Sequence, residues 1–161
     1  MVELKFFEPE NLPELDYQLD ESQAQYSSLP KQALERIEAR NQNDDFFAYP
    51  ITVFYDEKIA GFCVLDFGND KFEMTDNKNS VLLRSLSINP DFQGKGIGKS
   101  VMIMIDDFIK EHFNDCNEIV LSVNERNDFA FQIYLKQHYI YEGKKIAGRS
   151  GPQFVMSKIL D

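Results

Sequence analysis

The stretch Ile88-Asn-Pro-Asp-Phe-Gln-Gly-Lys-Gly-Ile-Gly-Lys99 decides how the rest of this chain is read. An apolar run, Val81 to Ile88, leads into it, and an amphipathic run leaves it. The turn between them holds three glycines, Gly94, Gly96 and Gly98, within five residues. A strand that passes through such a turn into a helix is suited to an anion: backbone N–H groups face the ligand, and the helix adds the positive end of its dipole. The spacing Gln93-x-x-Gly96-x-Gly98 fits poorly to both common nucleotide loops, Gly-x-x-x-x-Gly-Lys-Ser/Thr and Gly-x-Gly-x-x-Gly. Taken alone, the competing reading is a plain tight strand-to-helix connection.

Working outward, apolar residues at Ile97, Val101, Met104, Ile105 and Phe108 predict a helix with one buried face. Asn114-Asp-Cys-Asn ends it, and Glu118 to Val123 reads as a short apolar strand. Strand, helix and strand in that order make a βαβ unit, hence two parallel strands. Asp128 to Gln137 reads as a further helix, and Tyr139 to Ile146 with Gln153 to Ile159 as a closing strand pair around Gly148-Arg-Ser-Gly-Pro. Upstream, Phe47 to Tyr55 and Lys58 to Phe67 are rich in β-branched and aromatic residues and predict a hairpin turning at Asp56-Glu57. Glu3 to Phe7 reads as a short edge strand. Pro9 and Pro13 punctuate an acidic segment with room for one or two helical turns. Ser28 to Arg40 reads as a helix with Pro30 in its first turn. A polar stretch, Asn41 to Asp45, ends that helix, and Gly68 to Ser80 is expected to be a surface loop. The predicted class is α+β: a mixed, mostly antiparallel sheet of six to seven strands with one parallel pair and helices on both faces.

At 161 residues and 43% hydrophobic content, one domain spanning residues 1–161 is expected. The formal charge of −10 argues against broad nucleic-acid or anionic-membrane binding. Of the two cysteines, Cys63 lies in an apolar run and Cys116 in a polar loop, a pattern of neither a disulfide framework nor a metal site. The start lacks a basic n-region, and the aliphatic run Val101 to Ile105 is too short to span a bilayer, so a cytoplasmic protein is expected.

Two motifs now stand in order. Leu86-Ser-Ile88-Asn-Pro90-Asp-Phe92-Gln93-Gly-Lys-Gly96-Ile-Gly98 is followed by Leu121-Ser-Val123-Asn-Glu-Arg-Asn127-Asp-Phe-Ala130-Phe-Gln-Ile-Tyr134-Leu-Lys136. Together they resemble the GCN5-related N-acetyltransferase (GNAT) superfamily over about residues 47 to 159. The resemblance implies that the parallel strand pair borders a cleft for acetyl-CoA, the co-substrate. It implies acetyl transfer to a primary amine of a small molecule by direct attack in a ternary complex, without a metal, and it is compatible with a homodimer. Gln93, Gly94, Lys95, Gly96, Ile97, Gly98 and Lys99 would then hold the pyrophosphate, with Gly96 and Gly98 allowing close backbone approach. Main-chain groups of Leu86, Ser87 and Ile88 would bind the pantetheine and polarise the thioester carbonyl. Asn127 matches a cofactor-binding asparagine, although a helix N-cap is an equal reading. Tyr134 matches the tyrosine that protonates the leaving thiolate; its competing reading is packing on the sheet.

Two departures stand out. Where many family members carry Glu or Asp on the motif strand as a base, this chain has Arg84, which cannot accept a proton. Arg84 is thus a candidate for binding an anionic group of the acceptor, or else a paired strand residue. His138 replaces a turn glycine at the end of the last helix and reads as a helix C-terminal residue. Arg149 and Gln153, in the closing turn, are further candidate substrate contacts. The alternative to an enzyme is a CoA-binding sensor or interaction module without turnover, a reading that the missing carboxylate favours and Tyr134 opposes.

Overall fold

A computed structural model describes residues 1–41, 43 and 47–161. Seven strands form one sheet: β1 (Val2–Phe6), β2 (Ala48–Tyr55), β3 (Lys58–Asp66), β4 (Ser80–Ile88), β5 (Glu118–Asn124), β6 (Ile140–Gly148) and β7 (Gly151–Ile159). Their spatial order is β1-β2-β3-β4-β5-β7-β6, and among the described residues only β4 and β5 pair in parallel. The helices are α1 (Glu21–Ala24), α2 (Pro30–Arg40), α3 (Ile97–His112) and α4 (Asp128–Lys136), with 3-10 turns at Pro9–Leu15, Asn69–Glu73 and Pro90–Phe92. This is the mixed sheet expected from the sequence. The predicted polar break at Asn41 to Asp45 lies partly outside the described residues.

β3 is buried on both faces, which is why its sequence is a nearly unbroken apolar run. Cys63 and Leu65 face α3, whose Val101, Met102, Ile105 and Ile109 are fully buried against them and against Val81 and Ile119. Phe62 and Val64 face the other way, onto Leu15, Tyr17, Ala33 and Ile37 from the N-terminal segment and α2. The buried stripe of α3 takes in Met102 and Ile109, while Met104, expected within it, sits at its half-buried margin. A helix laid on a flat sheet buries a wider arc than a narrow seam does.

Two expectations for loops change. Gly68 to Ser80 is not a plain surface loop: its 3-10 turn buries Lys71, whose Nζ donates to the carbonyls of Lys78 (2.9 Å) and Ser80 (2.8 Å). Those bonds satisfy an ammonium that burial otherwise disfavours, and burial lowers its pKa. Cys116, though in a loop, is buried and donates to the Glu118 carbonyl.

Two backbone features position the end of β4. A register shift between Val53 and Phe54 leaves Ala60 unpaired in β3, and its carbonyl accepts the Asn89 N–H at 2.8 Å. Next to it, Gly61 runs so close beneath β4 that a Cβ would lie 2.6 Å from the Ser87 carbonyl oxygen. The last helix, α4, closes in a Schellman turn: the N–H of Tyr139 bonds the Tyr134 carbonyl and that of His138 the Leu135 carbonyl, both at 3.1 Å. His138 occupies the left-handed position of that turn, φ 72°, where glycine is the favoured residue.

These contacts make opposite predictions for two substitutions. His138→Gly relieves the left-handed conformation and should stabilise the protein by about 1 kcal/mol. Gly61→Ala forces β3 and β4 apart and should cost roughly 1–3 kcal/mol. Denaturant midpoints measure both, and a midpoint that moves the other way refutes the corresponding contact.

Candidate active site

β4 and β5 stay paired for three residues only, from Ser80↔Glu118 to Leu82↔Val120. Beyond them, β5 remains laddered to β7 as far as Asn124↔Gln153, while β4 stays with β3. Since each strand is committed to its outer neighbour, the two part. The N–H and C=O groups along their facing edges, from Leu83 and from Leu121 onward, are left without a strand partner. Such edges accept an extended ligand that carries amides of its own.

Within this gap β4 changes register against β3: Val64 pairs with Arg84 but Phe62 with Ser87, so Ser85 and Leu86 together oppose Cys63. Ser85 takes φ 58°, an uncommon conformation for a residue with a side chain. Side chains of the N-terminal segment hold this bulge. Tyr17 OH lies 2.7 Å from Ser87 Oγ and donates to the Ser87 carbonyl at 3.2 Å. Ser27 Oγ donates to the Leu86 carbonyl at 3.2 Å. Burial drives the Tyr17 phenol well above its ordinary pKa, so it remains a donor.

The residues singled out in the sequence divide among three places. Leu86, Asn127, Tyr134, Arg84 and Gln153 line the gap. Tyr134 is half-buried there, and burial pushes its phenol up to about 12. Asn127 caps α4 through its Oδ1, which accepts the Ala130 N–H at 3.3 Å, and its amide NH2 stays a donor. Ser87 and Ile88 do not line the gap: the Ser87 hydroxyl is taken by Tyr17, and the Ile88 carbonyl accepts Gln93 Nε2 at 3.0 Å.

The second place is the turn that follows β4. Gly94 (φ 79°) and Gly96 (φ 71°) adopt left-handed conformations, with open space where a Cβ would be. Backbone shape therefore calls for glycine here. Gly96 is the N-cap of α3 and offers no side chain, so the first N–H groups of the helix, at Ile97, Gly98 and Lys99, have no partner within it. Gly98 already has helical backbone, and its requirement for glycine is not conformational. Lys95 lies over the Tyr55 ring at 6.0 Å, and Lys99 is exposed.

The third is a cavity of about 440 Å³ that adjoins the gap and shares Ser85, Ser122 and Gln153 with it. The β6–β7 turn roofs it: Arg149 Nη2 donates to the Ala24 carbonyl at 3.3 Å and Ser150 Oγ to the Gln25 carbonyl at 2.6 Å. Asn124 supports this turn by donating to the Ser150 carbonyl at 3.0 Å. Arg84 Nη1 is shared between Asp66 Oδ2 and Asp70 Oδ2, each at 3.0 Å. Asp70 also accepts from Arg40, and these arginines hold its carboxyl below the usual range.

Comparison with known proteins now bears on this arrangement. A family model described as the acetyltransferase (GNAT) family matches residues 10–139. The chain belongs to that family. It is 31% identical over 161 residues to YbbJ of Bacillus subtilis (strain 168), described as an uncharacterised N-acetyltransferase; the match covers 99% of this chain and 98% of that one. Among solved structures, the spermidine N-acetyltransferase of Vibrio cholerae with CoA and spermine superposes with a TM-score of 0.71 at 19% identity, covering 99% of this chain and 95% of the other. The aminoglycoside acetyltransferase AAC(6')-Ib with coenzyme A gives a TM-score of 0.77 at 14% identity, with the same coverage. Both confirm the fold. The protein is thus an N-acetyltransferase, as its two motifs implied.

One expectation is corrected in extent. The motifs suggested a resemblance from residue 47 onward, whereas the family match begins at residue 10. The first forty residues supply Tyr17, Ser27 and Arg36, which the sequence reading passed over. The carbonyls at the β4 bulge that Tyr17 and Ser27 bond lie 70 and 59 residues away along the chain, and no local pattern marks them.

Proposed function

We propose that the protein transfers the acetyl group of acetyl-CoA to a primary amine of a small molecule held in the 440 Å³ cavity. The observation that carries this reading is the continuity of β4: one strand borders the gap, bends at Ser85–Leu86, and ends in the glycine turn ahead of α3. The unpaired edges of the gap suit the amides of a pantetheine arm. The turn suits a pyrophosphate, because it concentrates N–H donors at a helix N-terminus without needing net positive charge. Bound there, acetyl-CoA supplies an activated thioester.

The chain's own groups then do the following. Ser27 and Tyr17 fix the peptide groups that follow Leu86 and Ser87 through their carbonyls, so the bulge presents its remaining N–H groups to the thioester carbonyl with little reorganisation. Tyr134 keeps its proton throughout the physiological range and delivers it to the departing sulfur. Asn127 donates its amide to the arm while capping α4. Arg84, engaged by two carboxylates, shapes the wall, while Arg149 and Gln153 face the acceptor. Asp70, stabilised as an anion by arginines, is a weak base. Glu73, exposed on the same wall, takes the proton that the amine releases, directly or through water. The setting is the cytoplasm, where acetyl-CoA is available; no helix among the described residues is long and apolar enough to cross a membrane.

The donor site is tested with Gly98→Asp. A carboxylate in the first turn favours the helix dipole, so the free protein should melt no lower than wild type. It also repels a pyrophosphate, so the stabilisation by acetyl-CoA, about 2.7 kcal/mol at a hundredfold excess over Kd, should disappear. A shift that survives in the variant sinks the assignment of the turn.

The acid is tested with Tyr134→Phe, which should lower kcat by about 100-fold while leaving the acetyl-CoA melting shift in place. With its phenol raised to about 12, wild type should show no falling limb between pH 7 and 10 that the Phe variant lacks. Finding such a limb, or losing kcat and cofactor binding together, would remove Tyr134 from the role of acid.

A further inference from the structure

Three arginines reach the larger cavity from separate elements: Arg36 from α2, Arg84 from β4 and Arg149 from the β6–β7 turn. Their charges act on one another. Partial burial and then repulsion from Arg84, Arg149 and Arg40 hold the Arg36 guanidinium below its ordinary pKa. Compensation among them is unequal. Asp66 and Asp70 serve Arg84, and Asp70 also serves Arg40. Among the described residues, no carboxylate lies within ion-pair distance of Arg36 or Arg149. Arg36 Nη2 donates to Ser28 Oγ at 2.6 Å and Arg149 Nη2 to the Ala24 carbonyl, which leaves the other N–H donors of each fork open. Both also border an adjoining hollow of about 380 Å³, alongside Gln32 and Glu35, so they form a rim between two open spaces. In a chain of net charge −10, two cations placed at one rim without carboxylate partners mark a site for an anion.

We propose that the acceptor is a small amine that also bears a carboxylate, and that Arg36 and Arg149 clamp this carboxylate while the amino group reaches the bulge at Ser85–Leu86. The proposal rests on the acetyl-transfer reading and deepens it. The amine nitrogen bonds to the acetyl carbon, the carbon–sulfur bond breaks, and the sulfur leaves as the thiol; the carboxylate takes no part in the bond changes. It orients the amine and selects the substrate. A cavity of about 440 Å³ holds an amino acid or a dipeptide. A polyamine would set a second ammonium against two guanidinium groups. The acceptor preference of this chain therefore differs from that of a relative that binds spermine.

The test is CoA release from the full chain, with acceptors in matched sets: lysine against cadaverine, β-alanine against ethylamine and phosphoethanolamine, and spermine. The carboxylated amine should show kcat/KM at least about tenfold above its decarboxylated partner. Arg36→Gln and Arg149→Gln should each raise KM for lysine by about tenfold and bring the lysine-to-cadaverine ratio towards one, with Arg149→Lys retaining part of the preference. Both arginines are exposed, so these variants should fold. Equal or greater turnover of cadaverine, ethylamine or spermine overturns the proposal but leaves acetyl transfer standing. A preference for phosphoethanolamine over β-alanine overturns the carboxylate in favour of a phosphate. If acetyl-CoA raises the melting temperature yet no acceptor releases CoA, the carboxylate proposal fails and the donor site stands. If acetyl-CoA gives no shift, the donor reading itself fails.

Discussion

Two sets of contacts, one on β4 and one on β5, keep these strands apart. β4 is laddered to β3, with a bulge at Ser85–Leu86 whose following carbonyls Tyr17 and Ser27 bond, and Gly61 lets β3 run close to Ser87 and Ile88. β5 in turn keeps its full pairing to β7, and only three residues of parallel ladder remain between β4 and β5. A sheet normally satisfies its backbone groups by pairing them. Here a run of them is left without a strand partner, and that deficit is what the rest of the structure depends on. Two hydrophobic cores, one on each face of β3, anchor the sheet beside the gap.

Charge is used in two different ways around this gap. The glycine turn offers backbone N–H groups at the start of α3 rather than side-chain charge, so its anion-facing character does not depend on the acidic balance of the chain. The cavity beside it uses side-chain charge, and its arginines are divided between those balanced by Asp66 and Asp70 and those that are not. Tyr134 stands between these two regions, protonated because its surroundings disfavour the phenolate. Each group is poised by its local environment, which the net charge of −10 does not describe.

The strand-to-helix motif and the Asn127–Tyr134 helix were legible in the sequence because their requirements are local. A left-handed backbone at Gly94 and Gly96 calls for glycine there, and an apolar period of a helix shows wherever one face is buried. The parallel pairing of β4 with β5 followed from connectivity. What the sequence did not reveal was the work of the first forty residues. Tyr17 and Ser27 look like ordinary members of a polar segment until the fold carries them to a bulge some sixty to seventy residues away. Lys71 is similar: a lysine in a polar loop reads as exposed, yet two carbonyls of the same loop take it inside.

Arg84 marks the division most clearly. The sequence showed that a cation stands where a carboxylate base is usual, and left open whether it binds substrate or is paired. Which partners it meets depends on how β3 and the Asn69–Glu73 turn pack beside β4, and these bring Asp66 and Asp70 to the same nitrogen. By itself the sequence determined the family, the sheet-and-helix order and the glycine turn, since each rests on short-range backbone and periodicity constraints. The tertiary structure alone decided how far the two strands part, which arginines keep an uncompensated charge, and that the N-terminal segment builds the site. Those outcomes are set by contacts between residues far apart in the chain, and no local pattern encodes them.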